Sequence, residues 1–167
     1  MGFMMRALGG ILFFSVLTDN PKYCLTMKDV LKEIEELIEK ESVNAEKIRE
    51  LQISFIQKEL KKRHCVDKFI GDFPTFIEPV HLGDNVKIGD DVLIGPNVYI
   101  GKNCEIGDFT ELINTIIFDN VVLGENFKLE NCIVAKDFKS TASNFSAFGC
   151  ILRTNKNGDQ KIDKFFD

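Results

Sequence analysis

The chain has 167 residues, room for one domain with an appendage. Its net charge of −5 argues against non-specific binding to nucleic acid, and none is expected. Cys24, Cys65, Cys104, Cys132 and Cys150 are odd in number and show no Cys-x-x-Cys spacing, which fits a reduced, cytoplasmic setting better than a disulfide framework or a zinc site.

The opening, residues 1–26, contains the apolar run FMMRALGGILFFSVL over residues 3–17. It is short and broken by glycines for a membrane span, and no small-residue cleavage site stands out. Contact with a membrane is expected only if residues 3–17 act as an anchor. A signal, an unrelated arm and a misplaced start remain open alternatives. Residues 27–64 read as a helical hairpin. Thr26 with Asp29 makes a weak capping box, and Val30, Leu31, Ile34, Leu37 and Ile38 recur on one face. After a break at Ser42 to Asn44, Asn44 caps a second helix whose Ile48, Leu51, Phe55 and Ile56 share a face. Lys61-Lys62-Arg63 ends it as a solvated basic cluster. The two apolar faces need burial, which is expected within the chain.

From residue 70 to 138 the chain counts in sixes. Phe76, Leu82, Ile88, Ile94, Ile100, Ile106 and Leu112 are large and apolar, and Gly83, Gly89, Gly95, Gly101 and Gly107 follow the central five. With glycine at about 7% of residues, five in one frame by chance is on the order of one in a million. Four residues after each first position come Val80, Val86, Val92, Val98, Cys104, Thr110 and Ile116, mostly small or β-branched. A helical stripe recurs at about 3.6 residues and cannot produce this period. Three extended residues and a corner can, with Asn and Gly supplying the left-handed conformation at the corner. The pattern is that of an all-β solenoid. Beyond Leu112 the inward residues read as Ile117, Leu123, Leu129 and Val134, with two five-residue steps at the apolar pairs Ile116-Ile117 and Ile133-Val134. The glycines either leave an outward face bare for another surface or relieve crowding at the corners. After Phe138 the hexads dissolve, and residues 139–167 read as a cap. Asn157-Gly158 between CILRT and KIDKFF predicts a β-hairpin that closes the solenoid.

These hexads resemble the left-handed parallel β-helix of hexapeptide-repeat proteins, in which three hexads make one triangular coil. The handedness is an implication of that resemblance. The phrases FIEPVHLGDNVKIG and NTIIFDNVVLGEN are similar to the C-terminal β-helix of sugar-phosphate nucleotidyltransferases, in the mannose-1-phosphate guanylyltransferase and glucose-1-phosphate thymidylyltransferase groups. The resemblance also casts Met5, Arg6, Gly9, Gly10, Leu17, Thr18, Pro21 and Lys22 as a degraded nucleotidyltransferase opening. The Thr-Arg pair of such an opening is missing, and about 50 residues separate it from the repeat, so no working nucleotidyl-transfer site is expected. What the resemblance implies is a non-catalytic interaction and oligomerisation module of nucleotide-sugar metabolism. Its partner is another copy, with a trimer favoured, or a full-length sugar nucleotidyltransferase that it regulates.

Hexapeptide proteins also include acyltransferases that use a histidine as general base, and this is the alternative reading. His64 ends the basic helix, at the surface. His81 precedes Leu82 and points out of the coil, and so is the candidate catalytic base for a sugar or amine acceptor. No cofactor is expected. A three-histidine metal centre is not expected either, because the whole chain has two histidines.

Overall fold

The computed structural model describes residues 27–62, 66 and 69–165. The readings of residues 1–26, of the Thr26 cap and of His64 lie outside them. Two helices, α1 (Met27–Ile38) and α2 (Ala45–Lys58), come first. The Asn44 side chain accepts a hydrogen bond from the Lys47 amide at 3.0 Å, as an N-cap should.

Five coils follow, each made of three short strands. The first is β1 (Phe69–Ile70), β2 (Thr75–Phe76) and β3 (Val80–Leu82), and the second β4 (Val86–Ile88), β5 (Leu93–Ile94) and β6 (Val98–Ile100). The third is β7 (Glu105–Ile106), β8 (Glu111–Ile113) and β9 (Ile116–Ile117), and the fourth β10 (Val122–Leu123), β11 (Phe127–Glu130) and β12 (Ile133–Val134). The fifth is β13 (Lys139–Ser140), β14 (Phe145–Phe148) and β15 (Cys150–Thr154), after which β16 (Gln160–Lys164) turns back. Equivalent strands stack in parallel into three sheets, β1-β4-β7-β10-β13, β2-β5-β8-β11-β14 and β3-β6-β9-β12-β15, with β16 antiparallel on β15.

The register confirms the count. Leu82, Ile100, Ile117, Val134 and Leu152 are successive Cα partners, as are Phe76, Ile94, Leu112, Leu129 and Ala147. These columns and the small or β-branched column beside each fill the interior. One position differs from expectation. Where the coil takes its first five-residue step, Thr115 and not Ile116 turns inward. Its hydroxyl is buried and donates to the Ile113 carbonyl at 2.8 Å and the Leu129 carbonyl at 3.2 Å. Ile116 points outward, under the helices.

Most corners carry a residue at positive φ; the β2–β3 corner, at Pro79, does not. Asn85, Asn103, Asn120 and Asp137 hold one corner with φ of 57°, 55°, 60° and 59°. Asn and Asp tolerate that conformation better than other L residues. Their side chains run as a ladder: Asn85 donates to Asn103 at 3.2 Å, Asn103 to Asn120 at 3.1 Å and Asn120 to Asp137 at 2.8 Å. The glycines have a reason in the same stacking. A Cβ on Gly101 would lie 2.8 Å from the Asp119 amide nitrogen, and one on Gly95, at φ 115°, would run into the Ile77 carbonyl. What these two glycines keep bare is the approach of the adjoining coil.

The coils do not stop at residue 138. Strands β13, β14 and β15 complete a fifth turn, with Ser140, Ala147 and Leu152 in the inward columns. Asn157-Gly158 does lie between β15 and β16, within a loop broader than a two-residue turn. The Asn155 side chain accepts from the amides of Asn157 and Asp159 at 2.9 and 2.8 Å, and Gly158 takes φ 88°.

The helical hairpin covers one flank of the prism. Ile34, Leu37, Ile48 and Phe55 form a second core with the outward side chains Ile116, Phe118, Ile133, Ala135 and Ile151. Burial of the apolar faces is therefore intramolecular. Gln52 joins helix to solenoid where the coils are one residue short. It is 3% exposed, and its Nε2 donates to the carbonyls of Asn114 at 2.9 Å and Cys132 at 3.1 Å, on two successive coils. Gln52→Leu strands two carbonyls in a dry interface and is expected to cost about 1–3 kcal/mol in a urea denaturation curve.

Candidate interaction surface

The three outer faces differ in what they show to solvent. The face of β3, β6, β9, β12 and β15 lies under the helices. That of β1, β4, β7, β10 and β13 carries charge, including the exposed ion pair between Lys87 and Glu105. The third, of β2, β5, β8, β11 and β14, has no helix over it among the described residues, and apolar side chains stand along both its borders.

On the border toward β1 the corner column reads Phe73, Asp91, Phe109, Asn126 and Asn144, all at φ between 54° and 61°. Phe73 is 90% exposed and Phe109 is 55% exposed. A bulky aromatic residue in the left-handed region costs of order 1–3 kcal/mol, where Asn would sit with little strain. On the other border Ile77 is 45% and Phe148 60% exposed, with Ile113 half-buried between them. Across the middle, Leu93 lies beside the Glu111–Lys128 ion pair, which spans 2.9 Å. The face thus carries exposed apolar side chains along both borders and an exposed ion pair between them.

His81 stands on a different face. It lies on β3, half-buried, stacked flat on Tyr99 with ring centroids 5.2 Å apart and planes 2° apart. Tyr99 in turn meets Phe55 of α2 edge-on at 5.6 Å. Burial, then the nearby Asp119, pushes the Tyr99 phenol up to about 12, so it is neutral at physiological pH. The imidazole stacks on an uncharged ring at the rim of the helix-covered flank. Burial likewise pushes the Cys104 thiol up to about 11, the behaviour of a packed thiol inside the solenoid. Among the described residues no cluster of His, Cys, Asp and Glu has the makings of a metal site.

The repeat residues Leu82, Ile88, Ile94, Ile100, Ile106 and Leu112 all line the solenoid interior. None of them reaches the uncovered face. Three contributors have no counterpart in the sequence-based expectations: Gln52, Arg153 of β15, whose Nε donates to Asp163 of β16 at 2.6 Å, and the corner phenylalanines. The last pair did leave a signal. Phe73 and Phe109 stand three residues before Phe76 and Leu112, at corners where neighbouring repeats place Asn or Asp.

A groove of about 890 Å³ also runs between α1 and the β15–β16 hairpin. Its charges are largely matched to one another, as in Lys136 with Glu35 and Lys156 with Glu41. Among the described residues no helix is long and apolar enough to cross a membrane.

Comparison with known proteins agrees with this architecture. Residues 76–152 match the family model described as the GMPPB C-terminal domain. The match starts inside the first coil and ends inside β15, so it covers the stacked coils and excludes the helical hairpin and β16. The solenoid is therefore related to the C-terminal region of sugar nucleotidyltransferases. No curated protein matches the chain.

Proposed function

We propose that this solenoid, related to the C-terminal domain of sugar nucleotidyltransferases, works as a non-catalytic interaction and oligomerisation module in the cytoplasm. Its docking surface is the uncovered face of β2, β5, β8, β11 and β14. The partner is another copy, with a trimer favoured, or a full-length sugar nucleotidyltransferase under its regulation. The observation that carries this reading is the pair of exposed phenylalanines at strained corners. They cost the isolated fold stability while leaving most of their own area exposed, so their return is sought outside the fold.

That reading makes stability and assembly move in opposite directions. Phe73→Asn together with Phe109→Asn is expected to leave the fold as stable or more stable, by up to about 1–3 kcal/mol per site, in thermal denaturation. The same variant is expected to lose assembly in size-exclusion chromatography with light scattering. A variant that assembles as the parent does, with its fold intact, would remove this face from consideration. The acyltransferase alternative would need His81 presented to an acceptor, whereas its ring lies flat against Tyr99.

A further inference from the structure

The inward columns bring two thiols together at the C-terminal end of the solenoid. Ile133 and Val134 pair with Ile151 and Leu152, so Cys132 and Cys150, each one residue before, lie directly opposite on adjacent coils. Both are buried, and their Sγ atoms are 3.6 Å apart. We propose that Cys132 and Cys150 form an oxidisable dithiol that closes to a disulfide between the fourth and fifth coils.

Adjacent strands are spaced about 4.7–4.9 Å apart, within the Cα separation of about 4.4–6.8 Å that a disulfide spans. Closure to a bonded sulfur pair therefore needs a local side-chain adjustment and no change of register. The oxidant is a small peroxide. Cys132 as thiolate attacks one peroxide oxygen and expels hydroxide, giving a sulfenic acid. The Cys150 sulfur then displaces that oxygen as water. In sum two thiols and one hydrogen peroxide give one disulfide and two waters, the ordinary first rungs of cysteine oxidation. The Cys150 thiol, hydrogen-bonded to Cys132, holds the Cys132 thiol below its usual range, which favours Cys132 as the attacking sulfur.

Position decides which buried thiols can react. Cys150 belongs to the last coil, beyond which among the described residues a single hairpin strand, β16, pairs with it, Cys150 opposite Lys164, in place of a further coil. End coils open more readily than interior ones, so a molecule the size of peroxide gains access there. Cys104 is equally buried, but it lies in the third coil and shares its column with Val86 and Val121. It serves as an internal control with no thiol partner in its column. The bond would enclose residues 18 positions apart and tie β15, with the hairpin it carries, to β12.

The test treats the full chain with hydrogen peroxide, alkylates the remaining thiols under denaturing conditions and maps peptides by mass spectrometry. Expected are a linked Cys132–Cys150 peptide, an alkylated Cys104, and a melting temperature raised by several degrees that dithiothreitol restores. Cys150→Ser is expected to abolish both the link and the shift. Recovery of Cys132 and Cys150 as alkylated thiols, once the chain's other reactive thiols are consumed, would overturn the proposal. Their separate conversion to sulfinic acids would do the same. Should Cys150→Ser fail to fold, the peptide map of the unsubstituted chain decides by itself.

Discussion

Ile100→Ala is expected to lower stability by about 2–5 kcal/mol, and Ile100→Asp by considerably more. Ile100 is fully buried in the column Leu82, Ile100, Ile117, Val134 and Leu152, between Leu82 and Ile117, so its removal leaves a void between coils above and below. Neighbouring coils are held apart by continuous hydrogen-bonded strands and cannot collapse into that void, which places the loss toward the upper end. Lys102, two residues on, is exposed, and its ammonium lies 3.7 Å from Asp119. A pair of that kind contributes little, so Lys102→Ala is expected to change stability by no more than about 0.5 kcal/mol. Urea denaturation midpoints compare the two. Equal shifts would mean that the inward frame is misassigned.

Arg153→Ala is the second large effect, expected at about 1.5–3 kcal/mol, since Lys161 remains 3.1 Å from Asp163. Arg153 is 8% exposed, and its Nε donates to Asp163 Oδ2 at 2.6 Å. One Nη1 donates to the carbonyls of Ile38 at 3.4 Å and Lys40 at 3.5 Å, where α1 ends. One guanidinium thus joins the fifth coil, the returning strand β16 and the end of the first helix. Without it the Asp163 carboxylate loses its nearest buried cation, and two carbonyls lose donors. Burial by itself raises the Asp163 pKa, but hydrogen bonds and charge from Arg153 and Lys161 outweigh it and hold the carboxyl below the usual carboxylate range. The folded state therefore binds its proton at lower pH than the unfolded state, whose Asp titrates near about 3.9. The stabilisation is fully present above that value and is lost as pH falls through the lower folded value. Stability of the parent is expected to drop across that acid window, and the drop is expected to flatten in Arg153→Ala. An unchanged acid slope would show that Asp163 is not the group responsible.

The parts of the fold that could be read in advance are those where stacking dictates residue type. Gly95 and Gly101 meet the backbone of an adjoining coil, and the inward aliphatics meet one another, so period and phase are written in composition. The five-residue steps were legible too, because an apolar pair such as Ile133-Val134 can only face in two directions at once. Ile116 departs from the count of six for a related reason: the coil shortens by one residue just before it, so Thr115 takes the inward place. The fifth coil is hidden in the sequence because its inward columns hold Ser140, Ala147 and Leu152, two of them small and none followed by glycine. Gln52 and Arg153 act across 62 or more residues, and no local pattern announces a contact of that range. The uncovered face leaves only a departure in the sequence, phenylalanine at positions 73 and 109 where the corners otherwise favour Asn and Asp.

Sedimentation equilibrium across a range of concentrations, on the chain alone and in its native extract, addresses the assembly role most directly. The expected result is a mass that is a whole-number multiple of the chain's, three-fold for the favoured trimer, or a larger complex with a sugar nucleotidyltransferase. A single-chain mass at every concentration, alone and in extract, would contradict it.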